Sequence, residues 1–188
     1  MFEEEWIETE KIETERLTLR EMREEDARDV YDVLTDKGVA RWLGIKPVHS
    51  VDEAWAFMER FIDSPFFEIY AITLKGEDKV IGFIQVAHHW DRTYAFGYCL
   101  HSAYRGKGYM TEAVKTLISY FFEERTWLRA IQIDVFDGNE ASASVARKCG
   151  LFYDSTSLNI LSRYGNVEDE NHYSITIGDY EWAHRQSA

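Results

Sequence analysis

The sequence has little cysteine, little proline and no long apolar run, and each shortage excludes a class of protein. Its 188 residues contain only two cysteines, Cys99 and Cys149, and neither belongs to a CxxC pair. A disulfide framework or a zinc site is therefore not expected, and both thiols are predicted to be core residues. No stretch approaches the roughly 18 apolar residues of a membrane span. The N-terminus lacks the basic and apolar regions of a signal peptide, so we expect a cytoplasmic protein.

Positive charge is also scarce. The 21 lysines and arginines face 34 acidic residues, which gives a net charge of −13. Such a surface repels phosphate and argues against nucleic acid or anionic membrane as a partner. Residues 1–15 alone hold seven glutamates and one lysine. Because no linker or repeat interrupts the chain, we expect an acidic arm over residues 1–15 and a single domain over residues 16–188.

The apolar periodicity predicts an α/β protein with about four helices. The clearest helix runs from Tyr109 to about Phe122, where apolar residues recur at helical spacing. Further helices are expected after the N-cap residues Asp26 and Ser50, the second with a capping box. Asn139 is predicted to cap a fourth helix that ends at Lys148, before Gly150 in a left-handed conformation.

Seven strands are predicted between these helices. They are expected at residues 16–20, 68–74, 79–87, 93–100, 130–136, 154–162 and 172–178. The first half of the chain resembles an antiparallel meander, and the last two strands resemble a hairpin. Strand–helix alternation in the second half implies at least one parallel pair, so a mixed, mostly antiparallel sheet flanked by helices follows.

A glycine-rich turn connects the strand that ends near Leu100 to the Tyr109 helix. It reads Arg105-Gly106-Lys107-Gly108-Tyr109-Met110. A helix start exposes unpaired N–H groups and a positive dipole end, and both suit an anion. The glycines leave room for phosphate oxygens, and Arg105 and Lys107 add positive charge. The turn is neither a Walker loop nor GxGxxG, and a solvated loop with two bases is the alternative interpretation.

Residues 104–113 resemble the acetyl-CoA pyrophosphate loop of the GNAT N-acetyltransferases, Q/R-x-x-G-x-G/A. Residues 139–151 resemble the N-x-x-S-x-x-V-x-x-K-x-G-F segment of the RimJ/RimL-like branch, which acetylates ribosomal-protein N-termini. Segments 14–20 and 80–84 and the Gly97-Tyr98 pair fit that branch in order and spacing. The resemblance implies the acyl-CoA N-acyltransferase fold, acetyl-CoA as cofactor and an amine as acceptor.

The resemblance also implies a set of cofactor contacts. Backbone groups of Tyr98, Cys99 and Leu100 are expected to pair with the pantetheine arm, and Asn139 is expected to reach it from the next strand's end. The pyrophosphate is expected on the N–H groups of the turn, namely those of Arg105, Gly106, Lys107, Gly108, Tyr109 and Met110. Met110 replaces the family's usual Gly or Ala, and we expect its side chain to join the apolar stripe of the helix.

Two catalytic positions of the family are missing. The usual proton-donor tyrosine, seven residues after the asparagine, is Ala146, and the branch's glutamate before Gly-Tyr is Ala95. Ser142 stands where the branch has a serine near the sulfur, and we predict that it donates to the departing thiolate. The alternative is a first-turn serine that bonds free N–H groups.

The general base is less clearly marked. Candidates are His88, His89, Asp91, Glu68 and Asp134. The two histidines are favoured because they end a strand expected beside the cleft and titrate near neutrality. Adjacent strand residues point to opposite faces, so at most one of the two lines the cleft.

The acceptor is expected to be a protein N-terminal amine or a small-molecule amine. Four tryptophans are candidate walls of its cleft: Trp6, Trp42, Trp55 and Trp90. A non-catalytic acyl-CoA-binding or sensor protein of the same fold is the main alternative, and an unrelated phosphate-binding module is a weaker one. A homodimer formed through exposed aromatic residues is a further expectation.

Overall fold

The computed structural model describes residues 11–43, 47–89, 91–161 and 167–187. Within these segments there are eight strands and six α-helices. The strands are β1 (Ile12–Glu13), β2 (Leu17–Glu21), β3 (Phe67–Leu74), β4 (Val80–His88), β5 (Thr93–Leu100), β6 (Ala130–Phe136), β7 (Phe152–Leu161) and β8 (Val167–Thr176). The helices are α1 (Ala27–Thr35), α2 (Lys37–Leu43), α3 (Val51–Ile62), α4 (Tyr109–Glu124), α5 (Glu140–Lys148) and α6 (Ile177–Ser187).

All eight strands form one sheet in the order β1-β2-β3-β4-β5-β6-β8-β7. Every neighbouring pair is antiparallel except β5 and β6, which are parallel and connected through α4. The predicted mixed, mostly antiparallel sheet and its parallel crossover pair are confirmed. The predicted closing hairpin is β7–β8, with β8 on the inner side against β6.

Helices cover both faces of the sheet. Because strand side chains alternate, neighbouring residues of β4 such as Phe83 and Ile84 enter different cores. Ile84 packs in the cluster that contains Leu117 of α4, and Phe83 packs in the cluster that contains Val33 of α1 and Met58 of α3. The strand framework is therefore fixed between two buried layers, and the site is built where its central strands end.

Local sequence determines where several helices begin. The Ser50 hydroxyl accepts from the Glu53 N–H at 3.1 Å, and the Glu53 carboxylate accepts from the His49 N–H at 2.8 Å. The Asn139 side chain likewise accepts from the Ser142 N–H. Gly150 closes α5 with φ +86°. The predicted caps of α3 and α5 are confirmed, although Glu53 bonds one residue before the capping serine.

Asp26 stands at the N-cap position of α1, as predicted, but its side chain forms no capping bond there. It ends a 3₁₀ turn over Glu24–Asp26, and its carboxylate is buried against the Arg20 guanidinium, with bonds of 2.7 and 2.8 Å. It also accepts from the Arg23 N–H at 2.8 Å. A buried arginine needs a counterion, because an unpaired buried charge costs more than a missing cap.

Helices α2 and α6 were not among the predicted elements. The expected strand over residues 172–178 is wrong at its end, because β8 stops at Thr176 and α6 begins at Ile177. Thr176 and Asp179 form a reciprocal cap there: the Asp179 N–H donates to the Thr176 hydroxyl at 3.2 Å, and the Thr176 N–H donates to the Asp179 carboxylate at 3.0 Å. The spacing Thr176-x-x-Asp179 is typical of a helix start, so the beginning of α6 could have been predicted from the sequence.

Most of the predicted acidic arm, residues 1–10 with Trp6 among them, lies outside the described residues. Its last part is structured, since Ile12–Glu13 form β1 and pair with Thr18 and Leu19 of β2. In the part of the chain that the structure describes, the helices are all too short or too polar to cross a membrane.

Candidate active site

The two parallel strands of the sheet diverge, and a cleft opens between them. Strands β5 and β6 pair only at their beginnings, and the last pair is Ala95 with Gln132. Beyond it, both strands continue to Leu100 and Phe136, and a cavity of about 520 Å³ opens there. The starts of α4 and α5 also border this cavity, so one edge of β5 faces the cleft and is available for an extended ligand.

The turn before α4 presents bare backbone amides to this cleft. Gly106 and Gly108 adopt positive φ values of +74° and +83°, and no side chain caps the helix. Among the described residues, the N–H groups from Gly106 to Met110 donate to no protein acceptor. The Arg105 N–H differs, because it donates to the Ser102 carbonyl at 3.1 Å. Five of the six amides predicted to hold pyrophosphate are therefore free.

The Arg105 side chain bonds back to the strand that precedes the turn, although 39% of it stays exposed. Its Nε donates to the Leu100 carbonyl at 2.9 Å, and its Nη2 lies 3.9 Å from Asp36. Lys107 is exposed, with its ammonium 5.6 Å from the Tyr104 ring centroid. Both cations predicted to assist phosphate binding are exposed, but Arg105 is tied to β5 and Asp36, whereas Lys107 forms no ion pair with a described residue.

An ion pair fixes the turn from the opposite side. The Glu112 carboxylate, in the first turn of α4, accepts from the Thr14 hydroxyl at 2.6 Å and from Arg16 N–H and Nε at 2.8 and 2.7 Å. Arg16 Nη1 then donates to the Lys107 carbonyl at 2.9 Å. Burial alone would raise the pKa of Glu112, but these donors outweigh it and hold the pKa below its usual range. Residues 16–20 were predicted as a strand, but their contact with the first turn of α4 was not predicted.

A pair of hydroxyl groups lies beside the cleft. Ser142 Oγ donates to the Tyr98 phenol oxygen at 3.0 Å, and the phenol donates to the Ser142 carbonyl at 3.1 Å. Burial raises the pKa of Tyr98 well above its usual value, so the phenol stays protonated at neutral pH. The Tyr98 side chain thus positions Ser142, although only backbone contacts had been predicted for Tyr98. Among the described residues, no first-turn N–H group donates to the Ser142 hydroxyl, so the alternative interpretation of this serine is not supported.

The remaining predicted cofactor residues also border the cleft. Tyr98, Cys99, Leu100 and Asn139 line it. Met110 also borders it, and this residue is only 7% exposed and belongs to the core cluster on the α4 face. Both cysteines are free and buried, as predicted. Burial raises the pKa of Cys149 to about 12, and that of Cys99 also rises, so neither thiol is reactive at neutral pH.

Four of the five candidate bases lie elsewhere. His88 Nε2 is 2.8 Å from Glu68, whose carboxylate also binds Arg125, and the His88 ring stacks on Tyr94. His89 and Asp91 are exposed at the β4–β5 turn. None of these groups lines the cleft, so the structure does not bring His88 or His89 to Ser142.

Asp134 is the candidate base that borders the cleft. Its Oδ1 lies 2.7 Å from His172 Nδ1, and His172 Nε2 lies 2.7 Å from Ser157 Oγ. Asp134, Glu170 and His172 form a group in which one polar atom of each residue lies within 4.8 Å of the others. Burial and the charge of Asp134 raise the pKa of Glu170. The sequence pattern could not join Asp134 to His172, because nothing in it shows that β8 is the partner of β6.

Of the four tryptophans, Trp42 lines the cleft and Trp55 packs against a core cluster. Trp6 and Trp90 lie outside the described residues. One side of the cleft is therefore formed by α2, which carries Trp42 and had not been predicted.

Comparison with known proteins identifies the family. The family model described as "Acetyltransferase (GNAT) domain" matches residues 16–151, which is more than two thirds of the chain. The chain belongs to the GNAT acetyltransferases. It is therefore an acetyltransferase enzyme with acetyl-CoA as its cofactor.

Relatives of this GNAT chain match it along most of its length. The uncharacterized N-acetyltransferase YnaD of Bacillus subtilis is 27% identical over 172 residues, which cover 91% of this chain and 98% of YnaD. The structure of RimL, a ribosomal L7/L12 alpha-N-protein acetyltransferase in complex with coenzyme A, has a TM-score of 0.78 at 23% identity and covers 90% and 99% of the two chains. The spermidine N-acetyltransferase of Vibrio cholerae, in complex with CoA and spermine, has a TM-score of 0.75 at 18% identity and covers 87% and 97%.

The residues present in the cleft fit acetyl-CoA. Five bare amides at the head of α4 suit a diphosphate, and the open edge of β5 offers backbone groups for the amides of a pantetheine arm. The cofactor supplies the activated acetyl group, and the residues of the chain bind, orient and exchange protons around it.

Proposed function

We propose that this GNAT enzyme transfers acetyl from acetyl-CoA directly to a primary amine while both are bound, as a RimJ/RimL-like N-acetyltransferase. The observation that carries the proposal is the row of free N–H groups from Gly106 to Met110, which opens into the gap between β5 and β6. The proposal assigns the diphosphate to this turn at one end of the cleft, and the Ser142–Tyr98 hydroxyl pair lines the same cavity.

The proposed acceptor is a protein N-terminal amine or a small amine. RimL supports the first, the Vibrio cholerae spermidine enzyme supports the second, and the net charge of −13 favours a cationic acceptor in either case. At pH 7, deprotonation costs about 1.4 kcal/mol for an α-amine and about 4.6 kcal/mol for an alkylamine. The second class therefore depends far more on a base.

Ser142 is the proposed proton donor to the departing thiolate, and Asn139 is proposed to contact the pantetheine. The base predicted at His88 or His89 stays a prediction, although neither side chain borders the cleft. Because the family's tyrosine and glutamate positions are Ala146 and Ala95, a non-catalytic acyl-CoA sensor is the second candidate.

Thermal unfolding with acetyl-CoA tests the proposal. A ligand at about 100 times its Kd stabilises the native state by about 2.7 kcal/mol, so we expect the Tm to rise by several degrees. Acetyl-pantetheine, which lacks the diphosphate and the adenosine part of the cofactor, is the control and should give a much smaller shift. Absence of any shift with millimolar acetyl-CoA would contradict both the enzyme and the sensor.

Thiol release then separates the enzyme from the sensor. The acceptors are spermidine and peptides with N-terminal serine or alanine, with the acetylated product detected by mass. We expect release that depends on the acceptor. A full thermal shift without release for any acceptor would favour the sensor.

A further inference from the structure

Asp134 lies at the point where the two central strands separate. Ala95 and Gln132 are the last paired residues of β5 and β6, and Gly97 and Asp134 follow two residues later on the same face of the sheet. A Cβ built on Gly97 would meet no atom within 4 Å, so the space above this face is open. Asp134 therefore borders the cavity close to the point where the two strands are still paired.

Asp134 is held through one oxygen and leaves the other available. Its Oδ1 accepts from Gln132 Nε2 at 2.6 Å and contacts His172 Nδ1 at 2.7 Å. Among the described residues, Oδ2 has no hydrogen-bond partner. The His172 side chain is 19% exposed and the Asp134 side chain 32%, so the first is mostly buried and the second is reachable from solvent.

The groups around His172 fix its orientation. Asp134 faces it from β6, Ser157 from β7 and Glu170 from β8. With a proton on Nδ1, His172 donates to Asp134, and its Nε2 accepts the Ser157 hydroxyl at 2.7 Å. In the segments that the structure describes, neither lysine nor arginine forms an ion pair with Asp134 or Glu170. The carboxylates at this end of the cleft are therefore not paired with a lysine or arginine of the described residues.

We propose that Asp134 is the general base for the acceptor amine and that His172 is its positioning residue, an inference that rests on the proposed function. The acceptor ammonium donates to Asp134 Oδ2 and gives up one proton to it. The neutral nitrogen then bonds to the thioester carbonyl carbon as the carbon–sulfur bond breaks. The departing sulfur takes a proton from the Ser142 hydroxyl, and the nitrogen loses its second proton, which restores the Ser142 hydroxyl through solvent. Asp134 later returns its proton to solvent.

This assignment accounts for the missing glutamate at Ala95. Ala95 is in register with Gln132, so a carboxylate at position 134 lies on the neighbouring strand, one pleat repeat further along the same face. The change of strand keeps an acid beside the opening and moves it towards the part of the gap that the cavity occupies.

Kinetics of Asp134→Asn as a function of pH test the assignment, with spermidine and an alanine-terminated peptide as acceptors. At pH 7 we expect kcat/KM to fall by about 100-fold, the lower end of the range for loss of a general base. The deficit should shrink about tenfold per pH unit as the acceptor amine becomes neutral in solution. His172→Gln should show a smaller loss with the same pH dependence.

The matched control is Asp137→Asn, which removes one carboxylate three residues away. Asp137 contacts Asn171 and does not line the cleft, so its activity should equal that of the wild type. Acetyl-CoA affinity, measured by calorimetry, should be the same in all variants, because the base does not hold the cofactor.

Several results would overturn the inference. One is a pH profile of Asp134→Asn that parallels that of the wild type. Another is activity that is lost in EDTA and restored by Zn²⁺, because Asp134, Glu170 and His172 would then be metal ligands. An active wild type with unaffected variants removes this inference alone. A wild type that acetylates neither acceptor removes the proposed function together with it.

Discussion

At the scale of single residues, Ser142 depends on Tyr98 for its orientation. The phenol accepts the serine hydroxyl and donates to the carbonyl of the same residue, so the two groups form a closed pair across β5 and α5. The position of Ser142 could be predicted from the N-x-x-S spacing. Its partner could not, because contact between residues 98 and 142 depends on how α5 packs against the diverging strands.

We expect Ser142→Ala to lower kcat by about 10- to 100-fold, because the thiolate then leaves without a positioned proton. The Kd for acetyl-CoA should change by less than about threefold, since the diphosphate site on the α4 turn is untouched. Steady-state kinetics and calorimetry provide the two measurements.

The partner variant Tyr98→Phe serves as the comparison. If the two hydroxyls act as a unit, the double variant should be no slower than Ser142→Ala alone. Additive losses would show that Tyr98 acts independently, and an unchanged kcat in Ser142→Ala would remove the serine from the mechanism.

At the scale of elements, helices with a strong apolar periodicity or a clear cap could be predicted from the sequence, and a weakly amphipathic helix could not. The predicted α4 helix matches its buried face, which includes Ala113, Leu117 and Phe121. Helix α2 has seven residues, and Val39 is the only one of them that is fully buried, so its sequence shows no apolar stripe that would predict a helix. That matters for function, because α2 carries Trp42 over the cleft.

The contact between β2 and the α4 turn gives a prediction at this scale. Arg16→Met removes the bond to the Lys107 carbonyl, the Glu112 ion pair and the contact over the Tyr109 ring, 4.6 Å from its centroid. The turn is then less pre-organised for phosphate, so we expect a several-fold rise in the KM for acetyl-CoA with kcat unchanged.

Lys75→Met is the matched control for Arg16. Lys75 is another exposed cation on the same corner. Its ammonium bonds to the Thr14 carbonyl at 3.1 Å and pairs with Glu13 at 3.4 Å, and among the described residues it contacts neither Lys107 nor Glu112. It should leave the KM for acetyl-CoA unchanged. An equal rise in both variants would indicate a general effect of surface charge on cofactor binding.

At the scale of the whole molecule, the order of the strands in the sheet was the feature that the sequence predicted least well. The first five strands follow chain order, as expected for a meander, but β8 inserts between β6 and β7. Pairing between strands so distant in the chain depends on complementary faces, which a single sequence does not reveal. That insertion brings His172 to Asp134, and so the candidate base cluster depends on global topology while the diphosphate turn depends on local sequence.

A second polar cluster, centred on Glu68, stabilises the molecule away from the cleft. Glu68 accepts a bidentate pair of bonds from Arg125 at 2.6 and 2.9 Å, a bond from Tyr70 at 2.7 Å, and a contact from His88. It therefore joins β3, β4 and the residue that follows α4. Burial would raise the pKa of Glu68, but Arg125 and Tyr70 outweigh it, and the pKa is lowered.

Glu68→Gln is expected to reduce the free energy of unfolding by roughly 2–4 kcal/mol near pH 7, because Arg125 is left without its counterion. A carboxyl group with a lowered folded pKa stabilises the native state above its unfolded value of about 4.3, and this contribution disappears as the pH falls through the folded value. Urea unfolding from about pH 7 to pH 4 and below should therefore show the gap between wild type and variant closing only at the acidic end. Glu77→Gln, exposed on the β3–β4 turn, should match the wild type throughout. A gap that stays constant down to the most acidic pH would assign the loss to packing, and the Glu68 charge would then not contribute to the stability of the sheet.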